Sequence, residues 1–211
     1  MRVVGYIDGM NFYEASKDQA WYPAGWCNWT QTLGVYCPGA EVSVRYFTSL
    51  YVGRDMKQVR RQKLHLLAME KEAHAEIIFG SCRRRPLACP NCRTLLKCPK
   101  TKCGCDQRLV EKMTDVNIAV AMMEDAFSNE FDTAILVSAD SDLCGPVRAI
   151  RRLFPAKRVV VAFPPQRRSA ELEKDATATF VIGKGKLAAS QFPPVVSGKN
   201  GFQLLRPSKW A

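Results

Sequence analysis

Short apolar runs recur along this chain, each rich in Val and Ile and with little alternation between apolar and polar positions. Such runs are typical of parallel strands that are buried on both faces of a sheet. They predict six strands, at Val3–Ile7, Val42–Phe47, Glu76–Phe79, Thr133–Val137, Arg158–Phe163 and Thr177–Ile182.

Longer stretches with helical periodicity lie between these runs. Asp55–Ala73 is charged and amphipathic, Asp115–Phe127 follows Thr114 as a predicted N-cap, and Pro146 suits the first turn of a helix that runs to Phe154. Strands that alternate with helices predict a three-layer α/β/α fold with a doubly wound, mainly parallel sheet and right-handed crossovers.

Three segments interrupt this alternation. Residues 21–40 are aromatic and irregular, residues 82–105 are dense in cysteine, Arg and Lys, and the tail after Lys186 contains Pro193-Pro194 and a Gly/Ser/Asn stretch. We therefore predict one α/β domain over residues 1–185, a small cysteine-rich insertion at 82–105, and a loosely packed C-terminal extension at 186–211.

Composition and charge narrow the class of protein. The chain has 211 residues and a formal net charge of +11. Residues 81–112 carry a net charge of +7, and residues 144–168 and 183–211 carry seven and five Lys or Arg without any acid, so the rest of the chain carries −8. An acidic remainder with basic flanks suits a protein that binds cations and a polyanion together. No apolar run is long enough to cross a membrane, and the N-terminus reads directly into a strand, so we expect a cytoplasmic protein whose cysteines are thiols or metal ligands.

Carboxylates follow two of the predicted strands at the points where these strands end. Asp8 ends the first apolar run, and Asp140 and Asp142 follow the run that ends at Val137; Asp115 begins the helix before that run. In an open α/β sheet the carboxyl ends of strands meet at the edge where ligands bind. Clustered carboxylates repel each other unless a cation neutralises them, and Mg²⁺ or Mn²⁺ prefers such oxygen ligands.

Each of these acids also has a purely structural interpretation. Asp140 or Asp142 alone is typical of an Asx-turn or an N-cap, and Asp115 alone is favourable in the first turn of a helix. Asp8-Gly9 alone is a turn signal. The combination at one sheet edge favours a metal site. Asn11 and Ser138 would then orient a phosphate or a water without adding charge.

The insertion contains a second candidate metal site. Cys89 and Cys92 have the spacing of a zinc-ribbon knuckle, and Cys103 and Cys105 follow ten residues later, so these four cysteines predict a structural Zn²⁺ site. Cys98 or Cys82 are possible substitutes among the ligands. The alternative is a reduced loop, or adventitious disulfides.

Three sequence segments, "YIDGMNFY", "EKMTDVNIAVAMMEDA" and "ILVSADSDLCGPVRAIR", resemble the NYN domain family of PIN-like (5′-nuclease-like) ribonucleases over roughly residues 1–185. The resemblance implies a PIN-like fold and metal-dependent cleavage of RNA. It assigns catalytic or metal-binding roles to the acids Asp8, Asp115, Asp140 and Asp142, with Asn11 and Ser138 as polar companions. Ala139 stands where many members have Gly. A further acid is expected on the central helices, with Glu111, Glu124 and Asp125 as candidates.

The sequence thus predicts a Mg²⁺/Mn²⁺-dependent ribonuclease in which metal-activated water attacks a phosphodiester. Basic side chains would bind the RNA backbone without reading its sequence. The candidates for this contact are Arg83, Arg84, Arg85, Arg93, Lys97, Lys112, Arg148 and Arg152. Two alternatives are a non-catalytic RNA-binding or recruitment module on the same fold and, with less support, a phosphatase of another doubly wound family.

Overall fold

A six-stranded parallel sheet forms the centre of the protein. The computed structural model describes residues 1–18, 25–53, 55–89, 91–96, 107–197, 201 and 203–210. The strands of the described residues are β1 (Arg2–Asp8), β2 (Glu41–Thr48), β3 (Glu76–Phe79), β4 (Ser81–Pro86), β5 (Gln107–Lys112), β6 (Thr133–Val137), β7 (Arg158–Phe163), β8 (Ala178–Val181), β9 (Val195–Ser197) and β10 (Gln203–Leu205). The central sheet has the order β3-β2-β1-β6-β7-β8, and all of its neighbouring strands are parallel.

All six predicted strands are confirmed as members of this sheet, three of them with the predicted bounds. Their continuous apolar character has the expected cause, because apolar clusters cover both faces. One cluster contains Val3 and Ile7 of β1, and the other contains Val4 and Tyr6 of the same strand.

Helices form the outer two layers. They are α1 (Gly9–Asp18), α2 (Trp29–Tyr36), α3 (Met56–Lys71), α4 (Thr114–Phe127), α5 (Cys144–Leu153), α6 (Ala170–Asp175) and α7 (Lys184–Ala189). Side chains of α1, α2, α3 and α7 belong to one apolar cluster, and side chains of α4, α5 and α6 belong to the other. Among the described helices, none is long and apolar enough to cross a lipid bilayer.

The strand order creates a switch point between β1 and β6. The chain builds outward from β1 through β2 to β3, and then returns to place β6 on the other side of β1. Crevices at the carboxyl ends of such adjacent strands are where open α/β sheets bind ligands. The sheet therefore brings Asp8 and the segment after Val137 to one edge, as the sequence predicted.

The start of α4 differs from the prediction. Thr114 lies inside the helix, and the N-cap is Met113, which has a φ of 78° and makes no side-chain cap hydrogen bond. Thr114 does not cap because its hydroxyl donates to the Glu111 carboxylate at 2.7 Å. By contrast, α3 begins at a normal N-cap, where Asp55 accepts from the backbone N–H groups of Lys57 and Gln58.

The cysteine-rich insertion departs from the sheet as a separate two-stranded ribbon. Strands β4 and β5 pair antiparallel, from Ser81 opposite Lys112 to Pro86 opposite Gln107. We call this pair the β4–β5 ribbon. Residues 97–106 of the insertion lie outside the described part of the chain.

The C-terminal residues pack more closely than the sequence predicted. Phe192, Val196, Leu204 and Trp210 are buried in the same cluster as α1 to α3, and β9 pairs with β10. The Trp210 ring stacks on Trp26, with 6.3 Å between ring centroids. The prediction of loose packing is wrong because it weighed the Pro/Gly content and overlooked these spaced apolar side chains.

A buried ion pair fastens α4 to the sheet. Asp125, on the last turns of α4, accepts a hydrogen bond from the Tyr6 hydroxyl at 2.6 Å and another from Arg45 Nη2 at 2.6 Å. Arg45 also pairs with Glu76 at 2.7 Å. Asp125, one of the three candidates for an additional catalytic acid, is therefore engaged in packing between α4, β1 and β2.

Replacing Asp125 by alanine should leave a partly buried arginine and a buried phenol without their shared partner. We expect Asp125→Ala to lower the free energy of unfolding by about 3 kcal/mol, measured by urea denaturation. The exposed neighbour Glu124 provides the control, and Glu124→Ala should change it by less than about 0.5 kcal/mol. Equal effects of the two changes would contradict this role of Asp125.

Candidate functional site

Asp8 lies at the carboxyl end of β1 with both carboxylate oxygens engaged. Its Oδ1 accepts from the backbone N–H of Asn11 at 3.0 Å, and its Oδ2 accepts from the Ser138 hydroxyl at 2.9 Å. Asp8 therefore caps α1 and joins the ends of β1 and β6. Burial raises the pKa of Asp8 to about 7 despite these two hydrogen bonds, and the charges of Asp115 and Glu111 add to the increase.

The segment after β6 forms a chain of hydrogen bonds that ends at two carboxylates. The backbone N–H of Asp140 donates to Ser138 Oγ at 3.1 Å, and the backbone N–H of Asp142 donates to Asp140 Oδ1 at 3.0 Å. The Asn11 side chain supports the same segment, because its Oδ1 accepts from the backbone N–H of Ala139 at 3.2 Å. Asp140 thus acts as an N-cap while it also presents its carboxylate at the sheet edge.

Asp115 and Glu111 approach this edge from the start of α4 and the end of β5. Partial burial raises the pKa of Asp115, and the charges of Asp140, Glu111 and Asp142 raise it further. Glu111 Oε1 accepts from the Ser49 hydroxyl at 2.8 Å and from the Thr114 hydroxyl at 2.7 Å. Glu111 therefore joins the four acids that the motifs predicted, as one of the three candidates for an additional acid.

We call these five residues the acid cluster: Asp8, Glu111, Asp115, Asp140 and Asp142. In the described part of the chain, none of them forms an ion pair with Lys or Arg. The cluster thus carries negative charge that the protein itself does not neutralise. This is the donor chemistry that a hard divalent cation requires.

The described residues include no group of three or more His, Cys, Asp or Glu side chains close enough together to hold one metal ion. Magnesium is usually bound through one or two carboxylates, with waters and substrate phosphates completing its octahedral shell. The acid cluster therefore fits a magnesium or manganese ion whose remaining ligands come from water and substrate.

Sequence reasoning missed two features of this edge. Ser49, directly after β2, donates to Glu111, and its signal was available because it follows a strand at the same carboxyl edge. Gly80 sits where a Cβ atom would lie 2.5 Å from Thr114 Oγ1 and 2.7 Å from the Lys112 carbonyl oxygen. Only glycine allows the turn from β3 into β4 to approach the start of α4 this closely.

The basic side chains predicted to bind RNA are distributed over the β4–β5 ribbon and α5. Those on the described ribbon and hairpin are exposed, as is Arg152 on α5: Arg83, Arg84, Arg85, Arg93, Lys112 and Arg152. Arg148 is exposed as well and pairs with Asp175 at 3.2 Å, whereas Lys97 lies outside the described residues. Their contact with RNA stays a prediction.

Two of the predicted zinc ligands lie on a short hairpin. Backbone hydrogen bonds join Cys89 N–H to the Thr94 carbonyl and Arg93 N–H to the Cys89 carbonyl, each at 2.9 Å. Hydrogen bonding with Thr94 lowers the pKa of the Cys92 thiol to about 7. Cys98, Cys103 and Cys105 lie outside the described residues, and Cys82 is on β4. The zinc site stays a prediction.

Comparisons with known proteins support the motifs and the fold. The family model of the NYN domain matches residues 94–183, which include three of the predicted acids and Ser138, whereas Asp8 and Asn11 precede this span. A crystal structure of a protein of unknown function from Vibrio parahaemolyticus superimposes with a TM-score of 0.55, covering 87% of this chain and 93% of that one at 22% identity. This likeness supports the α/β fold with its parallel sheet.

A curated relative covers a smaller part of the chain. The 6-hydroxy-3-succinoylpyridine 3-monooxygenase HspA of Pseudomonas putida is 31% identical over 107 residues, which are 49% of this chain and 34% of the relative. The chain thus spans about a third of the length of that protein.

The raised pKa of Asp8 predicts a pH-dependent stability. The folded state binds more protons than the unfolded chain between pH 3.8, the ordinary pKa of this group, and its folded pKa of about 7. The free energy of unfolding should therefore fall as the pH rises through this interval. Asp8→Asn removes the ionisation. In EDTA, the free energy of unfolding of this variant should therefore exceed that of the wild type by about 2–4 kcal/mol at pH 8 and by almost nothing at pH 4. Urea denaturation at both pH values measures this, and equal stabilities at pH 8 would refute it.

Proposed function

Taking the NYN domain at residues 94–183 as the premise, we propose that this protein is a Mg²⁺- or Mn²⁺-dependent ribonuclease. The NYN family is generally nuclease-like, and its domains typically act on RNA. The observation that carries the proposal is the acid cluster at the carboxyl edge of β1 and β6, which no basic side chain in the described residues neutralises.

The side chains of the cluster divide into buried and exposed members. Asp8 is buried and fixed by two hydrogen bonds. Asp142 is exposed, and among the described residues only its backbone N–H is hydrogen-bonded. We propose that Asp8 and one outer acid hold a metal ion, and that water and substrate phosphate supply its other ligands. The bound ion would polarise a phosphoryl oxygen and lower the pKa of an attacking water.

Ser138 and Asn11 have different roles in this proposal. The Ser138 hydroxyl donates to Asp8 and accepts from Asp140, so it positions the two acids and has no donor left for substrate. Asn11 Oδ1 accepts from Ala139, which leaves Nδ2 without a hydrogen-bond partner in the described residues. We propose that Asn11 Nδ2 donates to a non-bridging oxygen of the scissile phosphate.

The monooxygenase name of the Pseudomonas relative does not change this choice. The matched segment is 34% of that protein, so the activity named for the whole relative is not carried over to this chain. Carboxylates that are free of basic partners select hard cations such as Mg²⁺, and these ions serve hydrolytic phosphoryl chemistry.

We also propose that the insertion binds one structural Zn²⁺. The hairpin places Cys89 and Cys92 at its tip, as in a two-thiolate knuckle, and Cys103 and Cys105 would supply the other two ligands. A zinc ion there would fix the end of the β4–β5 ribbon, which carries Arg83, Arg84 and Arg85 beside the acid cluster.

Replacing an acid of the cluster should abolish cleavage and spare the fold. We expect Asp8→Asn and Asp142→Asn to reduce Mn²⁺-dependent cleavage of total RNA by at least about 100-fold. Sequencing of the cleaved ends, with Mn²⁺ or with EDTA, measures this. The control is Asp132→Asn, at the opposite end of β6, where the acid is exposed and pairs with Arg2. Full activity of either cluster variant, or equal loss in the control, would refute the assignment, and RNA binding without any metal-dependent cleavage in the wild type would favour a binding module.

Metal analysis tests the zinc site independently of cleavage. We expect about one zinc per chain in the purified protein, as one four-ligand site requires. Cys89→Ser and Cys92→Ser should each reduce the zinc content severalfold, while Cys37→Ser, a half-buried cysteine at the end of α2, should leave it unchanged. An undetectable zinc content in wild-type protein that was purified without chelator would overturn this proposal.

A further inference from the structure

A cavity of about 450 Å³ opens beside the acid cluster. It lies between α1, β2, α3 and the β4–β5 ribbon, with Trp210 of the C-terminal segment at one wall. Its volume is within the range of pockets that bind small organic groups. Neither the motifs nor the proposed metal chemistry accounts for it.

Flat side chains form much of the wall of this cavity. They are Phe12, Trp29, Tyr46, His65 and Trp210, and all five are buried. Burial lowers the pKa of His65 to about 4, and its Nε2 is 3.0 Å from the Cys27 carbonyl oxygen, so this imidazole is neutral at physiological pH. An uncharged wall of rings favours a flat aromatic ligand.

Two polar groups in the wall have capacity for a ligand. Tyr46 is 7% exposed, and its hydroxyl has no hydrogen-bond partner in the described part of the chain. That hydroxyl lies against Gly9, where an added Cβ atom would be 2.6 Å away. Arg61 is also largely enclosed, with its side chain 15% exposed, and its only ion pair with a described residue is Asp55 at 3.6 Å. A ligand in the cavity could hydrogen-bond the Tyr46 hydroxyl, which either donates or accepts, and could accept from the Arg61 guanidinium.

The cavity and the acid cluster share a wall. Glu111 lines the cavity while its Oε1 is fixed by Ser49 and Thr114, and Gly9, another lining residue, directly follows Asp8. A group inside the cavity would therefore lie next to the site proposed for the scissile phosphate.

The β4–β5 ribbon indicates which kind of molecule would place an aromatic group in the cavity. Cys82 and Leu109 of the β4–β5 ribbon line the cavity, and the neighbouring Arg83, Arg84 and Arg85 on the same ribbon are exposed. A basic strand that leads to an aromatic cavity matches a polyanion whose aromatic groups can turn inward, and single-stranded RNA has this chemistry. Binding of a free aromatic molecule in the cavity would not require the exposed arginines.

We propose that the cavity binds one unpaired nucleobase of the RNA substrate, from the nucleotide next to the scissile phosphate. This inference rests on the proposed ribonuclease function and specifies its substrate. The base stacks on the aromatic wall and hydrogen-bonds the Tyr46 hydroxyl, and a base held in a duplex cannot enter. The site therefore selects single-stranded or looped RNA over paired RNA.

The test measures binding in EDTA, so that it does not depend on cleavage. Short labelled single-stranded RNAs, each with one abasic residue at a different position, are titrated with wild-type protein and followed by fluorescence anisotropy. We expect one abasic position to weaken binding about 10-fold, which is the size of a lost base stack, while the other positions have smaller effects. A fully paired RNA of the same sequence should bind more weakly than the single strand.

Two variants connect this position to the cavity. Leu109→Trp places a larger side chain at the mouth of the cavity and should remove the effect of the abasic position that weakens binding. Tyr46→Phe keeps the aromatic wall but loses the hydroxyl, so it should weaken binding of the intact strand about threefold. Leu153→Trp, on exposed α5 surface away from the lining residues, is the control and should behave as the wild type.

The outcomes separate this inference from the proposed function. Uniform effects of all abasic positions, or equal behaviour of Leu109→Trp and Leu153→Trp, overturn the base pocket even when cleavage is observed. A position-specific effect that Leu109→Trp removes supports the pocket even when the wild type cleaves nothing. Saturable binding of a free aromatic carboxylate such as nicotinate, blocked by Leu109→Trp without any effect on RNA binding, overturns it in favour of a small-molecule site.

Discussion

The carboxylate of Asp8 joins the carboxyl ends of β1 and β6, the two strands at the switch point of the strand order. One oxygen caps α1 and the other accepts from Ser138 at the end of β6, so the relative position of the strand ends depends on this side chain. Through Ser138 and Asp140 the same chain of hydrogen bonds sets the loop that carries Asp142. Among the described residues, backbone and hydroxyl donors fix the geometry of the candidate site, and no basic side chain contributes.

This arrangement costs stability in the absence of a cation. Two acids of the same protein show the contrast, because Asp125 is buried beside Arg45 and Tyr6, whereas Asp8 is buried near other carboxylates and its pKa rises. A fold that needed only stability would neutralise Asp8 as it neutralises Asp125. The retained charge is consistent with a site that binds a cation, and it lowers the stability of the metal-free protein.

The sequence predicted those parts of the structure that depend on neighbouring residues and strand ends. Apolar runs gave all six strands of the sheet, and the rule for carboxyl ends placed Asp8 and Asp142 at one edge. Thr114 was assigned wrongly because its hydroxyl donates to the Glu111 side chain, a tertiary contact that no local pattern shows. The cavity was missed for a related reason, since Tyr46 and Trp210 come from segments far apart in the chain.

Gly9 shows how the acid cluster and the cavity depend on each other. It has no side chain at the position where the Tyr46 hydroxyl end lies, so β2 can place this phenol directly behind the first turn of α1. A larger residue would displace either Tyr46 or the helix start, where the backbone N–H of Asn11 donates to Asp8. The requirement for glycine directly after the strand-end acid thus follows from packing against the phenol that faces the cavity. For this reason, one close contact between α1 and β2 sets the spacing between the acid cluster and the cavity.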